Sequence, residues 1–247
     1  MALKEDYIKI GQMLFRFRSY IPLILVPVYI IAIYSHFIEI PPLADQLYWS
    51  FVCFVISILG ILVRVLTIGY VPPNTSGRNV KNQLADCVNT TGIYSIVRHP
   101  LYLGNLLIWL GVSLRPGSIT LSICTIIFFW VYYEKIMFTE EEYLRAKFGS
   151  SYEDWANKTP AVIPSFRLWI GSSHTFSLRK ILRKECDGFY ALIVVFFFLD
   201  ILLDYSQNRN DNIIDMVSSS WLITICISSL LYIILKVIKK KTGLLKR

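Results

Sequence analysis

Charge is scarce in this chain. Only 17% of its 247 residues are Asp, Glu, Lys or Arg, against about 25% in soluble domains. What charge there is leans one way, with 25 Lys and Arg to 17 Asp and Glu. The five cysteines (Cys53, Cys87, Cys124, Cys186 and Cys226) contain no CxxC and no Cys/His spacing. That excludes a disulfide framework and a zinc site, and no metal is expected. No GxGxxG follows a strand-like run, so a dinucleotide-type phosphate loop is not expected. Internal repeats and low-complexity tracts are missing as well. The first apolar run is long for a signal-peptide core and lacks a small-residue cleavage site, so it reads as a retained anchor. The net charge of +8 is spread over loops rather than gathered on one soluble face, which argues against nucleic acid as a partner.

What the chain has instead is long apolar runs. It is 55% hydrophobic with a mean hydropathy of +0.52, and the excess lies in segments of membrane-spanning length. Six spans are expected, roughly 20–38, 47–70, 101–114, 117–138, 189–206 and 218–238. The fold class is all-α, a polytopic integral membrane protein. The third segment is short and reads as one arm of a hairpin with the fourth, turning at Arg115-Pro116-Gly117. Lys and Arg concentrate before the first span, in loops 71–100 and 139–188, and after Leu235. The opposite loops hold only Arg115 and Arg209 among acidic residues. By the positive-inside rule both termini are expected in the cytoplasm, and the site of residence is expected to be a bacterial inner membrane. Three parts are expected: an anchor over 1–46, a core over 47–166, and a third part over 167–247. The third part holds an amphipathic stretch, two plain spans and a basic tail. Phe176 to Lys184 within it reads as a helix lying on the inner leaflet or, more sharply, as a substrate gate. Asp200 and Asp204 read as charges reaching water at a helix end, with a proton path as the sharper alternative.

Two polar blocks interrupt the apolar pattern, both on the expected cytoplasmic side. The first is Thr91-Gly92-Ile93-Tyr94-Ser95-Ile96-Val97-Arg98-His99-Pro100-Leu101-Tyr102-Leu103-Gly104. Proline favours a helix's first turn and pushes the residue before it to extended geometry. Arg98 and His99 are therefore expected just ahead of the third span. A helix N-terminus offers unpaired N–H groups and partial positive charge, and Arg98 would complete a pocket for a carboxylate or phosphate. The competing reading is that Arg98 anchors the helix at headgroup level.

The second block runs from Glu140 to Tyr152, beginning Glu140-Glu141-Glu142. An acidic triplet is ordinarily solvated helix surface, and Glu141 with Arg145 an ordinary i,i+4 pair. Glu134 lies seven residues earlier on the same face. If 101–138 is an antiparallel hairpin, however, Glu140 and Glu141 approach Arg98 and His99. Such a cluster could hold a zwitterion, with glutamate for an ammonium and Arg98 with backbone N–H groups for a carboxylate.

The two blocks together, TGxYxxxRHPxYxG and EExxLxxxFGxxYxxW, resemble the isoprenylcysteine carboxyl methyltransferase and phospholipid methyltransferase superfamily. The matching residues are Thr91, Gly92, Tyr94, Arg98, His99, Pro100, Tyr102 and Gly104, then Glu140, Glu141, Leu144, Phe148, Gly149, Tyr152 and Trp155. The likeness covers about 47–166. It implies a helical pocket for S-adenosyl-L-methionine at the cytoplasmic face. His99, Pro100, Tyr102, Gly104 and Tyr94 would line it, and Glu140 or Glu141 would take the cofactor's ammonium.

The acceptor is expected to be a membrane lipid or a lipidated substrate. An anionic oxygen needs only a cationic cradle, whereas an amine needs a base. Arg98, Arg78 and Arg64 are the candidates for that cradle. Snorkelling to headgroups competes for Arg64, and a plain loop arginine competes for Arg78. O-methylation of a lipid phosphate or a prenyl-type carboxylate is the expectation. Its rivals are N-methylation of phosphatidylethanolamine and a non-enzymatic transport or assembly protein.

Overall fold

The structure, a computed structural model, describes residues 3–35, 40–45, 47–72, 85–208 and 218–241. The helices in chain order are α1 (Leu3–Arg16), α2 (Leu25–Tyr34), α3 (Leu47–Tyr70), α4 (Pro100–Leu114), α5 (Ile119–Phe148), α6 (Ser150–Ala156), α7 (Leu178–Asn208) and α8 (Ser219–Lys241). Among the described residues the only strand-like pairing is a single bridge between Gly92 and Ile170.

The helix limits follow local chemistry. Arg64 is the one charge in α3, and the helix stops at Tyr70, just short of Val71-Pro72, where proline disfavours helix for its predecessor. Pro100 opens α4, the position at which its missing N–H costs nothing. Gly149, at φ 55°, turns the chain between α5 and α6 with a positive φ that glycine adopts without steric cost. Lys239, Lys240 and Lys241 occupy the last turn of α8, where the helix dipole favours cations.

Four helices, α3, α5, α7 and α8, are long and apolar enough to cross a membrane. Counting α1 with 21–34, bent by 78° between them, makes a fifth. The chain is thus an all-α, multi-pass integral membrane protein. The expected first span, 20–38, corresponds to the 21–34 arm of that bent element, and residues 36–39 lie outside the described residues. The expected third span is the 15-residue α4, about 22 Å long at 1.5 Å per residue, short of the ~30 Å hydrocarbon layer. The amphipathic stretch expected as a separate surface helix is, from Leu178 onward, the first turns of the continuous α7. No proline intervenes before the span, and the lone Gly188 does not break a helix packed along its length.

Two compact units divide the chain. The first comprises Met1–Ile24, Leu62–Leu106 and Ile126–Ser177. In it α1 lies on α5. A Cβ on Gly11 would come 2.3 Å from the Lys135 carbonyl oxygen and 2.0 Å from Thr139 Oγ1, so only glycine allows that approach. Tyr7 meets Phe138 edge-on at 5.8 Å, and Lys4 Nζ reaches Glu142 at 2.5 Å. The α4–α5 hairpin is antiparallel, as expected. Within this unit Asn105 bonds Tyr133, while His99, earlier in α4's direction, meets Glu141, later in α5.

The second unit comprises Leu25–Ile61, Leu107–Thr125 and Leu178–Arg247. Here α7 and α8 pack side by side. Tyr190 and Tyr232 stack at 4.3 Å, and Asp187 accepts from Tyr232 at 3.0 Å and from Lys236 at 2.8 Å. None of α8's apolar window is buried by protein, as suits a lipid-facing helix. Asp200, expected as a charge reaching water at a helix end, is paired within the protein. Its Oδ1 lies 2.8 Å from Arg115 Nε, its Oδ2 accepts from Trp221 Nε1 at 2.8 Å, and Arg115 Nη1 donates to the Ala44 carbonyl at 2.5 Å.

Candidate active site

The first unit holds both polar blocks. Approaching α4, the chain turns at Gly92, whose φ of 63° suits glycine, through a short 3₁₀ turn over Ile93–Ser95. Ser95 Oγ closes that turn by donating to the Gly92 carbonyl at 2.7 Å. Apolar burial of Ile96 and Val97, 5% and 0% exposed, then fixes the backbone that presents Arg98 and His99. Segment 160–170 runs alongside. The N–H groups of Arg98 and His99 donate to the carbonyls of Pro160 and Ala161 at 2.9 and 3.1 Å. Ser165 N–H donates to Ile96 O at 2.9 Å, and Gly92 N–H to Ile170 O at 2.9 Å. Ile170 N–H donates to Ser95 Oγ at 2.9 Å.

At the far end of α5 the glutamates diverge, because successive helix positions turn by about 100°. Glu141 Oε1 lies 2.8 Å from His99 Nε2 and 2.9 Å from Arg98 Nη1. Glu140 Oε2 lies 3.8 Å from His99 Nδ1, and its Oε1 4.0 Å from Arg18 Nη1. The 7%-exposed His99 ring is thus set between two carboxylates. Glu142 points elsewhere, to Lys4 and Arg145. Arg145 pairs with Glu142 and Glu153 rather than with its i−4 neighbour, because Glu141 is taken by the site. Glu134 is exposed and outside the cluster.

Aromatic rings back the imidazole. Tyr102 stacks on His99 at 5.8 Å and on Tyr133 at 4.5 Å, and its hydroxyl hydrogen-bonds Glu140. Behind Tyr133, Asn105 donates to the phenol oxygen at 2.8 Å and accepts from Arg64 Nη1 at 2.5 Å. Arg64 therefore connects to the cluster through Asn105 and Tyr133. Gly104 is buried in α4. Trp155 Nε1 donates to the Tyr94 carbonyl at 3.1 Å, and the Tyr94 side chain lines a cavity of about 70 Å³ with Thr67, Asn89, Thr91 and His174. Arg78 lies outside the described residues.

Burial raises the Tyr94 phenol above its ordinary value, with the Glu140 charge adding to it. Tyr152 is pushed up to about 12 by burial and by the Glu141 charge, while Arg98 beside it pulls the other way. Both phenols stay protonated near neutral pH, so they act as donors and not as bases. No group of three or more His, Cys, Asp or Glu able to hold a metal occurs among the described residues.

Sequence reasoning missed Arg18, counted only as an orientation charge, because nothing in its local spacing ties it to a glutamate in another helix. Asn105 could have been found as an amide in an apolar helix, which needs a partner.

A multi-pass helical protein with an imidazole held between two carboxylates, beside the first turn of a short membrane helix, defines the class. Known proteins then narrow it. The phospholipid methyltransferase family model matches residues 49–151. A protein-S-isoprenylcysteine O-methyltransferase of Schizosaccharomyces pombe is 37% identical over 75 residues, 30% of this chain and 32% of that protein. The cobalt-zinc-cadmium resistance protein CzcN of Cupriavidus metallidurans is 32% identical over 118 residues, 47% of this chain and 54% of its own. A probable protein-S-isoprenylcysteine O-methyltransferase of Oryza sativa subsp. indica is 27% identical over 130 residues, 50% of this chain and 65% of its own. The chain thus spans about a third to two thirds of these relatives' lengths. No solved structure is significantly similar. Residues 49–151, which hold the first block and most of the second, are similar to the superfamily of isoprenylcysteine carboxyl and phospholipid methyltransferases. That family implies a methyl donor.

Proposed function

We propose that the chain is a membrane methyltransferase that uses S-adenosyl-L-methionine to methylate an anionic oxygen on a lipid headgroup or a prenyl-type carboxylate. The observation carrying this reading is the Arg98–Glu141–His99–Glu140 cluster, which offers paired carboxylates and a guanidinium within one small volume. The residues present fit the amino-acid end of that cofactor. The buried Arg98 Nε has no hydrogen-bond partner among the described residues and is a ready donor for a carboxylate. Glu141 and Glu140 would take the ammonium, with Tyr102, Pro100, Gly104 and Tyr94 around them. When bound, the cofactor supplies an electrophilic methyl on a sulfonium.

Beyond binding, the chain's task is to hold the acceptor in line and keep water out. Neither the Tyr94 nor the Tyr152 phenol serves as a base, and Glu141 is held by the Arg98 guanidinium. This favours an acceptor that arrives already charged. Arg64, fixed by Asn105, and Arg78 are the proposed cations for it. The distribution of Lys and Arg supports both termini on the cytoplasmic side of the membrane.

Purified protein given methyl-labelled S-adenosyl-L-methionine and total membrane lipid is expected to label a lipid. Release of the label by mild base identifies a carboxyl ester; a base-stable methylamine would overturn the anionic acceptor. Arg98→Ala and His99→Ala are each expected to lower turnover roughly ten- to a hundredfold, since each removes a charged hydrogen bond of about 1.5–3 kcal/mol. Full turnover by either variant would refute the pocket.

A further inference from the structure

The segment beside the motif carries a second surface. Four of its large apolar side chains face outward: Ile163 is 81% exposed, Phe166 76%, Trp169 57% and Ile170 58%. A soluble loop would not leave these open to water; such a cluster marks an interaction surface. Exposed Arg167 sits among them. From Trp155 to Lys184 the sequence has six Lys and Arg (Lys158, Arg167, Arg179, Lys180, Arg183 and Lys184) and no Asp or Glu. The occupant that complements apolar side chains, an interfacial tryptophan and uniform positive charge is an anionic lipid surface.

The segment's depth is fixed at both ends within the first unit. One end is tied to the start of α4 through Pro160 and Ala161, which accept from Arg98 and His99. The other end is tied to the last turn of the spanning helix α3. Ser177 N–H donates to Gly69 O at 3.0 Å, and Phe176 packs on Tyr70 at 5.1 Å. α3 is long and apolar enough to cross a membrane, so its end at Tyr70 is where the chain would leave the apolar layer, and a segment tied there would run near headgroup level.

We infer that Ile163–Ile170 is a membrane-surface strap, its Ile163, Phe166, Trp169 and Ile170 side chains inserted at the headgroup–acyl boundary of an anionic leaflet. Arg167 meets the phosphates there. The strap's backbone meanwhile holds the Gly92–His99 segment, so lipid contact and motif geometry share one piece of chain.

The test does not depend on methyl transfer. Phe166→Cys, in a background lacking Cys87, Cys124, Cys186 and Cys226, would carry an environment-sensitive fluorophore in nanodiscs of phosphatidylcholine with phosphatidylglycerol. Ile163→Cys would be treated the same way, so that one disturbed position does not decide the result. Quenching by a shallow lipid-borne nitroxide is expected to exceed quenching by aqueous iodide several-fold at both positions. Iodide quenching equal to or above the lipid quenching, or shielding from both quenchers, would overturn the proposal. Failure of the methyltransferase reading would leave this result unchanged.

Discussion

Glu141→Gln is expected to weaken binding of S-adenosyl-L-methionine roughly ten- to a hundredfold. The substitution keeps the shape and removes the charge that Arg98 and His99 share. A hydrogen bond to a charged group contributes about 1.5–3 kcal/mol, and each 1.4 kcal/mol is tenfold in affinity. The informative control is the next residue. Glu142→Gln should leave affinity within about twofold, because Glu142 pairs with the exposed Lys4 and Arg145, and such surface pairs contribute about 0–1 kcal/mol. Isothermal titration of the three proteins decides the matter. Equal losses in both variants would mean that overall acidity, and not the Glu141 position, attracts the cofactor.

Arg115→Met is expected to cost about 3–5 kcal/mol of stability, the usual consequence of leaving a buried ion without its partner. Arg115 is 7% exposed and holds both Asp200 and the Ala44 carbonyl. Asp200 in turn holds Trp221, so residues next to α4, α7 and α8 share one charge pair. The double variant Arg115→Met with Asp200→Leu should recover much of the loss, since two apolar groups of similar volume can replace a buried pair at little cost. Thermal unfolding in a fixed detergent reads both. A single variant as stable as the parent would show the pair to be solvated.

Much of this was legible beforehand because the signals are local. Long apolar runs announced α3, α5, α7 and α8, and Arg115-Pro116-Gly117 announced the hairpin. Pairing Arg98 and His99 with Glu140 and Glu141 required only that hairpin and the helical repeat. What stayed hidden depends on tertiary neighbours. The spacing within the triplet is the same for all three glutamates, so only the packing of α1 and α4 on α5 shows that Glu142 turns away. Arg18 reaches Glu140 because Gly11 lets α1 lie against α5, a contact between residues more than a hundred positions apart. The stretch before Lys184 has the periodicity of a surface helix, yet nothing in it stops the helix before Phe189.

The ties between 160–170 and the motif use main-chain groups on the 160–170 side throughout. Side chains there are consequently free to diverge between related proteins, and a lineage could adapt to a new lipid composition without disturbing Arg98 or His99. Proline marks the boundary of that freedom. Pro160 contributes only its carbonyl, so its missing N–H is harmless. Ser165 and Ile170 each give an N–H, and a proline at either would free one edge of the motif. Evolutionary drift in this segment should therefore be broad in side-chain identity, within the apolar and basic character that a lipid surface takes, and narrow in backbone chemistry.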